Sequence, residues 1–147
     1  MILEVLEGLK AGTITPVAQN EEEATYLKQI TKEAGIIDFS SSAAAIERQV
    51  RACIPWPSAF TALEGKTFKI WDADVLDDTE FSRVGGCACA AGCEPGTVVY
   101  SDKHRIIIKT GDGFLQPNEV QIEGKKRMTM DEFLRGRKIV AGTVFGQ

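Results

Sequence analysis

The chain has 147 residues, of which 44% are hydrophobic, and its 17 basic and 21 acidic side chains give a net charge of -4. This length and apolar content are enough for one domain with a hydrophobic core, but not comfortably for two. No run of about 18 apolar residues occurs, which excludes a transmembrane helix. The first residues also lack the basic region of a signal peptide, so we expect a cytoplasmic protein.

The charges are distributed unevenly along the chain. Residues 1–100 carry 8 basic and 15 acidic side chains, whereas residues 101–147 carry 9 basic and 6 acidic ones. The net negative charge argues against nucleic-acid binding by bulk charge. A local basic face would still attract RNA, because phosphate contacts act within a Debye length of roughly 8 to 10 Å.

The first third of the chain predicts a helix, a linker and a second helix. Residues 2–10 have apolar side chains at helical spacing, ended by Gly8 and Gly12. That apolar stripe has nothing upstream to pack on, which would favour self-association. Residues 13–32 are polar and aperiodic, as in an interdomain linker. After Ser42 as N-cap, residues 43–53 again show helical spacing.

The Pro-Trp-Pro segment that follows this helix is conformationally restricted. Pro55 and Pro57 fix the backbone on both sides of Trp56 and prevent helix there. The simplest interpretation is that the Trp56 indole is a packing wedge between the helix and the next strand. The alternative is that the indole stacks on a base or another ligand.

Beyond this segment the apolar period changes from helix to strand. A hairpin is predicted around Glu64 and Gly65, and further strands follow, so that the predicted strands are residues 59–63, 67–76, 97–100, 105–110 and 114–122. Thr129 and Glu132 form a capping box for a helix that ends at Gly136. Short strands joined by tight turns predict a mainly β fold, a small closed β-barrel with flanking α-helices.

Several short segments occur in an informative order, at residues 28–39, 42–52, 55–57, 69–71, 95–97, 110–113, 124–128 and 131–136. Together they make the chain resemble the C-terminal domain of methionyl-tRNA formyltransferases, from about Gly8 to the end. The resemblance implies that residues 1–12 are the last helix of an upstream catalytic domain, 13–38 a linker and 39–147 the C-terminal domain, a small OB-like β-barrel with flanking α-helices. The chain would then be a fragment or a truncated gene product.

The resemblance also implies a function. The domain would position initiator methionyl-tRNA while the parent enzyme transfers a formyl group from 10-formyltetrahydrofolate, and the chain alone would be inactive. No catalytic residue is expected, and His104 is interpreted as a turn residue. Related barrels occur in other formyltransferases, although the sequence of residues 124–128 favours the tRNA enzyme. A third alternative is a structural module that self-associates through its first helix.

The resemblance implies that cations from several parts of the chain bind phosphate groups of the RNA. An isolated basic triplet such as 125–127 is usually a solvated surface, but the family's C-terminal domain is thought to hold the inside of tRNA. The predicted RNA-binding residues are Lys28, Lys32, Arg48, Arg51, Lys125, Lys126, Arg127 and Arg135. Sequence alone does not show whether they converge.

Three cysteines lie close together in a loop of small residues. Cys87, Cys89 and Cys93 would allow three thiolates to approach one soft metal ion. Tetrahedral zinc usually takes four ligands at other spacings, so no metal site is expected. Unpaired thiols are the default in a reducing compartment, and a reversible disulfide between Cys87 and Cys93 is the alternative. The loop makes the chain longer here than the family pattern.

Overall fold

The computed structural model describes residues 2–15, 17–86, 90 and 92–146 of the chain. The helices are α1 (Ile2–Lys10), α2 (Ala43–Ala52), α3 (Asp78–Arg83) and α4 (Met130–Gly136). The strands are β1 (Ala59–Leu63), β2 (Lys66–Leu76), β3 (Val98–Ser101), β4 (Ile106–Lys109), β5 (Phe114–Ile122) and β6 (Met128–Thr129). Within the described ranges, no helix has the length and apolar content to cross a membrane.

The strands form one antiparallel sheet in the order β1-β2-β5-β4-β3, and β6 pairs with β5. The predicted hairpin is confirmed, since Leu63 pairs with Lys66 across a turn in which Glu64 and Gly65 have φ values of 51° and 73°. The mainly β architecture with flanking helices is also confirmed. Closure into a barrel is not, because β1 and β3 are the two edges of the sheet and do not pair with each other.

The core lies on the inner face of the sheet. Alternate strand residues such as Phe68, Ile70 and Val120 are fully buried there, as expected for a sheet with one covered face. Helix α2 adds Ile46 and Val50 to the same cluster. The predicted N-cap of α2 is confirmed, because the Ser42 hydroxyl accepts the Ala45 N–H at 3.3 Å, while α4 has the predicted Thr129–Glu132 capping box.

A smaller core covers the outer face at the other end of the sheet. Helix α3, which sequence analysis missed, places Phe81 against Phe114 of β5 with ring centroids 4.0 Å apart. Ile107 of β4 belongs to the same cluster. The missed signal is a capping box, in which Asp77 and Glu80 satisfy each other's backbone N–H groups. Thus Phe81 of α3 and Ala90 cover the outer face of β4 and β5 at Ile107 and Phe114.

The prediction that Trp56 is a packing wedge is wrong. The Trp56 side chain is 60% exposed, although Pro57 and Ser58 beside it are buried. The segment is held by its backbone instead, since the Ser58 N–H donates to the Cys53 carbonyl at 2.8 Å. The indole is therefore available for contact with another molecule.

Candidate nucleic-acid interface

The outer face of β1, β2 and β5 carries a row of polar and aromatic side chains. Phe60 pairs across the hairpin with Lys69, and Lys69 pairs with Gln121 of β5. Because side chains alternate along a strand, these three point away from the core that contains Phe68 and Ile70. The sheet thus brings a ring, an ammonium group and an amide together on one surface.

Trp71 extends this row and is fixed by three neighbours. Its indole Nε1 donates to Gln121 Oε1 at 3.2 Å. The Lys69 Nζ lies 5.7 Å and the Arg127 Cζ 5.1 Å from the ring centroid, which are cation–π distances. Gln121 Nε2 also donates to the Lys125 carbonyl at 2.8 Å. These contacts attach the basic segment 125–127 to the sheet.

The other end of the row is formed by the turn Lys32–Gly35. The Lys32 Nζ lies 5.9 Å from the centroid of the Phe60 ring. The turn lies directly on the start of β1, because a Cβ on Gly35 would be 2.1 Å from the Ser58 carbonyl oxygen. Its exit is held by the Ile37 N–H, which donates to the Phe60 carbonyl at 2.9 Å. Glycine is therefore required at position 35 for Lys32 to reach this surface.

These elements enclose a groove with a volume of about 330 Å³, which we call the basic groove. Its lining residues are Lys32, Pro57, Phe60, Thr67, Lys69, Gln121, Ile122, Glu123 and Gly124. Two ammonium groups and one carboxylate are among its charged members. The groove therefore offers local positive charge beside an aromatic surface, within a chain of net negative charge.

An acidic surface borders the groove on β2. The register of β2 against β5 shifts between Ile70 and Ala73, and Asp72 and Asp74 beyond the shift are exposed. The Asn118 amide holds both carboxylates, donating to Asp72 at 3.0 Å and to Asp74 at 2.9 Å. β2 is thus basic and aromatic before the shift and acidic after it. A polyanion would be attracted to the first part and repelled from the second.

The structure brings together some of the eight predicted RNA-binding residues. Lys32 and Arg127 lie at the two ends of the row through Phe60, Lys69 and Trp71, and Lys125 joins the row through Gln121. Lys126 lies in the same exposed segment. Among the described residues, no hydrogen bond, ion pair or ring contact joins the row to the remaining four, which are Lys28, Arg48, Arg51 and Arg135.

Three of the eight cations pair with carboxylates. Arg51 Nε lies 2.5 Å from Glu47, Arg127 contacts Glu119 and Arg135 contacts Asp131. In the described part of the chain, the other five have no carboxylate within 4 Å; they are Lys28, Lys32, Arg48, Lys125 and Lys126. The paired arginine side chains are well exposed, and exposed ion pairs contribute only about 0 to 1 kcal/mol. A phosphate group can therefore compete with these carboxylates.

Sequence reasoning missed Phe60, Lys69, Trp71 and Gln121 as surface residues. A signal for the first three was present: a two-residue turn at Glu64 and Gly65 places Phe60 opposite Lys69, and Trp71 follows two positions later. No local signal placed Gln121, because its position depends on the pairing of β2 with β5, which are distant in sequence.

The cysteine loop lies only partly within the described residues. Cys87 and Cys89 lie outside the described residues, and Cys93 is half-buried. In the ranges that the structure describes, no group of three or more His, Cys, Asp or Glu side chains could hold a metal ion.

Asp131 contacts an imidazole and a guanidinium group near the start of α4. Its Oδ1 lies 2.6 Å from His104 Nδ1, and Arg135 contacts its other oxygen. The hydrogen bond from His104, together with the charge of Arg135, lowers the pKa of Asp131 below its ordinary value. The predicted turn position of His104 is confirmed, since it is exposed between β3 and β4.

We expect Asp131→Asn to lower the thermal midpoint at pH 7 but not at strongly acidic pH. A carboxyl whose pKa is depressed by folding stabilises above its unfolded pKa of about 3.9, and this contribution disappears as the pH falls through the folded pKa. Thermal unfolding of both proteins between pH 7 and pH 2 checks this, in steps of about one unit. If the thermal midpoints of the two proteins differed by the same amount at every pH, the charge of Asp131 would not be the cause of the difference.

Comparison with known proteins relates the chain to one family. Residues 29–138 match the family model described as "Formyl transferase, C-terminal domain". The methionyl-tRNA formyltransferase of Lachnospira eligens is 47% identical over all of this chain, which covers 45% of that protein. The Bacillus subtilis enzyme is 37% identical over 99% of this chain and 43% of its own length. The chain thus spans less than half the length of these relatives.

A solved structure supports the fold alone. HypX from Aquifex aeolicus, crystallised in complex with tetrahydrofolic acid, superposes with a TM-score of 0.55 at 21% sequence identity. The superposition covers 97% of this chain and 26% of HypX. At this identity the likeness shows a shared architecture and carries no information about ligands.

Proposed function

The chain belongs to the formyl transferase C-terminal domain family, and on that premise we propose that it positions initiator methionyl-tRNA for a methionyl-tRNA formyltransferase. The observation that carries the proposal is the row on the outer face of the sheet, where Lys32, Lys69 and Arg127 lie next to the rings of Phe60 and Trp71. Lys32, Phe60 and Lys69 of this row line the basic groove. RNA stems are recognised mainly through shape, phosphates and 2′-hydroxyls, because side chains cannot read their narrow major groove. A face with locally concentrated cations suits that task.

The proposal assigns the chemistry to the rest of the parent enzyme. The formyl donor, 10-formyltetrahydrofolate, and the catalytic residues would belong to an upstream domain, and this chain would transfer no formyl group alone. Residues 1–12 would be the last helix of that domain and 13–38 the linker, before the C-terminal domain at 39–147. The exposed apolar side chains of α1, such as Leu6 and Leu9, would then be covered by the upstream domain.

We also propose that the sheet acts as an OB-like barrel whose open side is filled by the C-terminal segment. The Val98 N–H of β3 donates to the Thr143 carbonyl at 2.8 Å, and the Gly146 N–H donates to the Ala62 carbonyl of β1 at 2.9 Å. Residues 143–146 therefore bond to both edge strands. This supports a barrel-like enclosure of the core without direct pairing of β1 and β3.

The test is binding of this chain to initiator and elongator methionine tRNA across a salt series, measured by fluorescence anisotropy. We expect tighter binding of the initiator tRNA and an affinity that falls as salt rises. Replacing both Lys125 and Lys126 by alanine should weaken binding and reduce the salt slope by somewhat under two units, since each phosphate contact contributes roughly 0.7 to 0.9 unit.

Two outcomes of this titration would count against the proposal. An unchanged slope would remove Lys125 and Lys126 from the interface. Equal and negligible binding of both tRNAs would favour the alternative, a module that self-associates through the exposed apolar face of α1, where Ile2 and Leu3 are 77% and 71% exposed. Light scattering before and after removal of residues 1–12 separates that alternative from tRNA binding by a monomer.

A further inference from the structure

The basic groove has features that phosphate binding alone does not require. Phosphate contacts need cations, but this groove also contains the half-buried ring of Phe60 and the hydrogen-bonding groups of Thr67 and Gln121. Its volume of about 330 Å³ is at the lower end of pockets that enclose small organic ligands. A paired RNA stem would lie across its mouth, whereas a single small planar group would fit inside.

The Gln121 amide is oriented by its neighbours. The Trp71 indole can only donate, so it fixes the position of Gln121 Oε1, and the Lys125 carbonyl can only accept, so it fixes Nε2. Gln121 Oε1 has two acceptor positions and Nε2 has two N–H groups, and each of these two contacts occupies one of them. One acceptor position and one N–H therefore remain, and glutamine amides of this kind pair with the edges of nucleobases.

The charges of the groove define a direction for an anionic ligand. Lys32 lies beside Phe60 at one end, and Lys69 is the cross-strand partner of Phe60. In the described ranges neither ammonium group has a carboxylate within 4 Å. At the other end, the Glu123 carboxylate accepts the Thr67 N–H at 3.1 Å. A phosphate is thus attracted towards the lysines and repelled from the Thr67 end.

We propose that the basic groove binds one unpaired nucleotide of an RNA, with its base against Phe60 and Gln121 and its phosphate between Lys32 and Lys69. The proposal rests on the tRNA-positioning function and adds a preference to it. The chain would bind an RNA at a nucleotide that leaves the helical stack, in addition to binding along a paired stem. Bases displaced from a stem are commonly stacked on aromatic side chains and hydrogen-bonded along their exposed edges.

The test compares two short RNA duplexes that differ in one base. One duplex carries a single bulged adenosine, and the other carries an abasic ribose at the same position, so that the phosphates are identical. By anisotropy, we expect the bulged adenosine to bind about tenfold more tightly, the effect of stacking one base. Phe60→Leu should remove most of this difference, whereas Tyr26→Leu, which changes an exposed ring outside the groove, should retain it.

A second measurement avoids any change inside the groove. The chain has two tryptophans, so Trp71 is the sole indole in a Trp56→Phe variant. A base that bonds to Gln121 should alter the Trp71 emission, because the indole N–H is bonded to the same amide. The bulged duplex should produce this change and the abasic duplex should not.

The outcomes separate this proposal from the tRNA function. If methionine tRNA binds with the expected salt slope but the two duplexes bind alike and leave Trp71 emission unchanged, the unpaired-nucleotide site is wrong and the tRNA function stands. If the duplexes differ but neither tRNA binds, the site stands and the tRNA function fails. If no RNA binds, both fail.

Discussion

Replacing Lys32, Lys69 and Arg127 together by alanine is expected to reduce the slope of log affinity for methionine tRNA against log salt by roughly two units or more. These three cations surround Phe60 and Trp71 on the outer face of the sheet. Each phosphate contact that is lost should flatten the slope by about 0.7 to 0.9 unit. Anisotropy titrations at about 50 to 200 mM salt measure both the slope and the affinity.

A matched variant controls for the change in net charge. Lys10, Arg83 and Lys103 are exposed cations on α1, on α3 and in the turn before β4, and none of them lines the groove. Their joint replacement by alanine removes the same charge, so that any general effect of charge appears in both variants. Equal slopes for the two triple variants would show that the local arrangement of the cations is irrelevant, and this would contradict the outer face of β1, β2 and β5 as the interface.

Phe68→Ala is expected to lower the free energy of unfolding by about 3 to 5 kcal/mol. Phe68 is completely buried, and its ring centroid lies 5.5 Å from that of Phe133 in α4 and 5.2 Å from that of Phe145 in the C-terminal segment. Truncation leaves a cavity between three separate parts of the chain. Since domains are commonly stable by only about 5 to 15 kcal/mol, this is a large fraction.

Urea unfolding followed by circular dichroism measures the loss. Phe68→Leu fills most of the same volume and should cost clearly less, and it keeps the comparison measurable if Phe68→Ala does not fold. Equal losses for the two variants would contradict a cavity as the cause. The effect also concerns the interface, because Phe68 anchors the strand that carries Lys69 and Trp71 on its other face.

Local signals in the sequence were sufficient for several elements. The place of Ser42 before the helical pattern of residues 43–53 predicts its N-cap, Thr129 and Glu132 three positions apart predict the capping box, and the two residues at the turn predict the hairpin. Helix α3 carried the same kind of signal in Asp77 and Glu80 and was overlooked. Such features involve neighbours in the chain, so the residues themselves specify them.

Other features depend on residues that are distant in sequence, so local patterns do not predict them. The restricted backbone around Trp56 was correctly inferred, but the exposure of its indole depends on the backbone contact between Ser58 and Cys53 and on what surrounds that loop. The set of eight cations stays a prediction. The structure adds Lys69 to the cations that face one surface. Arg51 and Arg135 pair with carboxylates on their own helices, and among the described residues no contact joins them to that surface.

The amino-acid sequence alone determined the family, the order of most helices and strands, and the side-chain alternation that gives β2 an inner apolar and an outer polar face. Only the tertiary structure decided which residues share the groove. Lys32, Lys69 and Gln121 come from three distant stretches of the chain, and they meet because the turn at Gly35 lies on β1 and β2 pairs with β5. Local preferences act between near neighbours, whereas this convergence results from burial of the common core on the opposite face of the sheet.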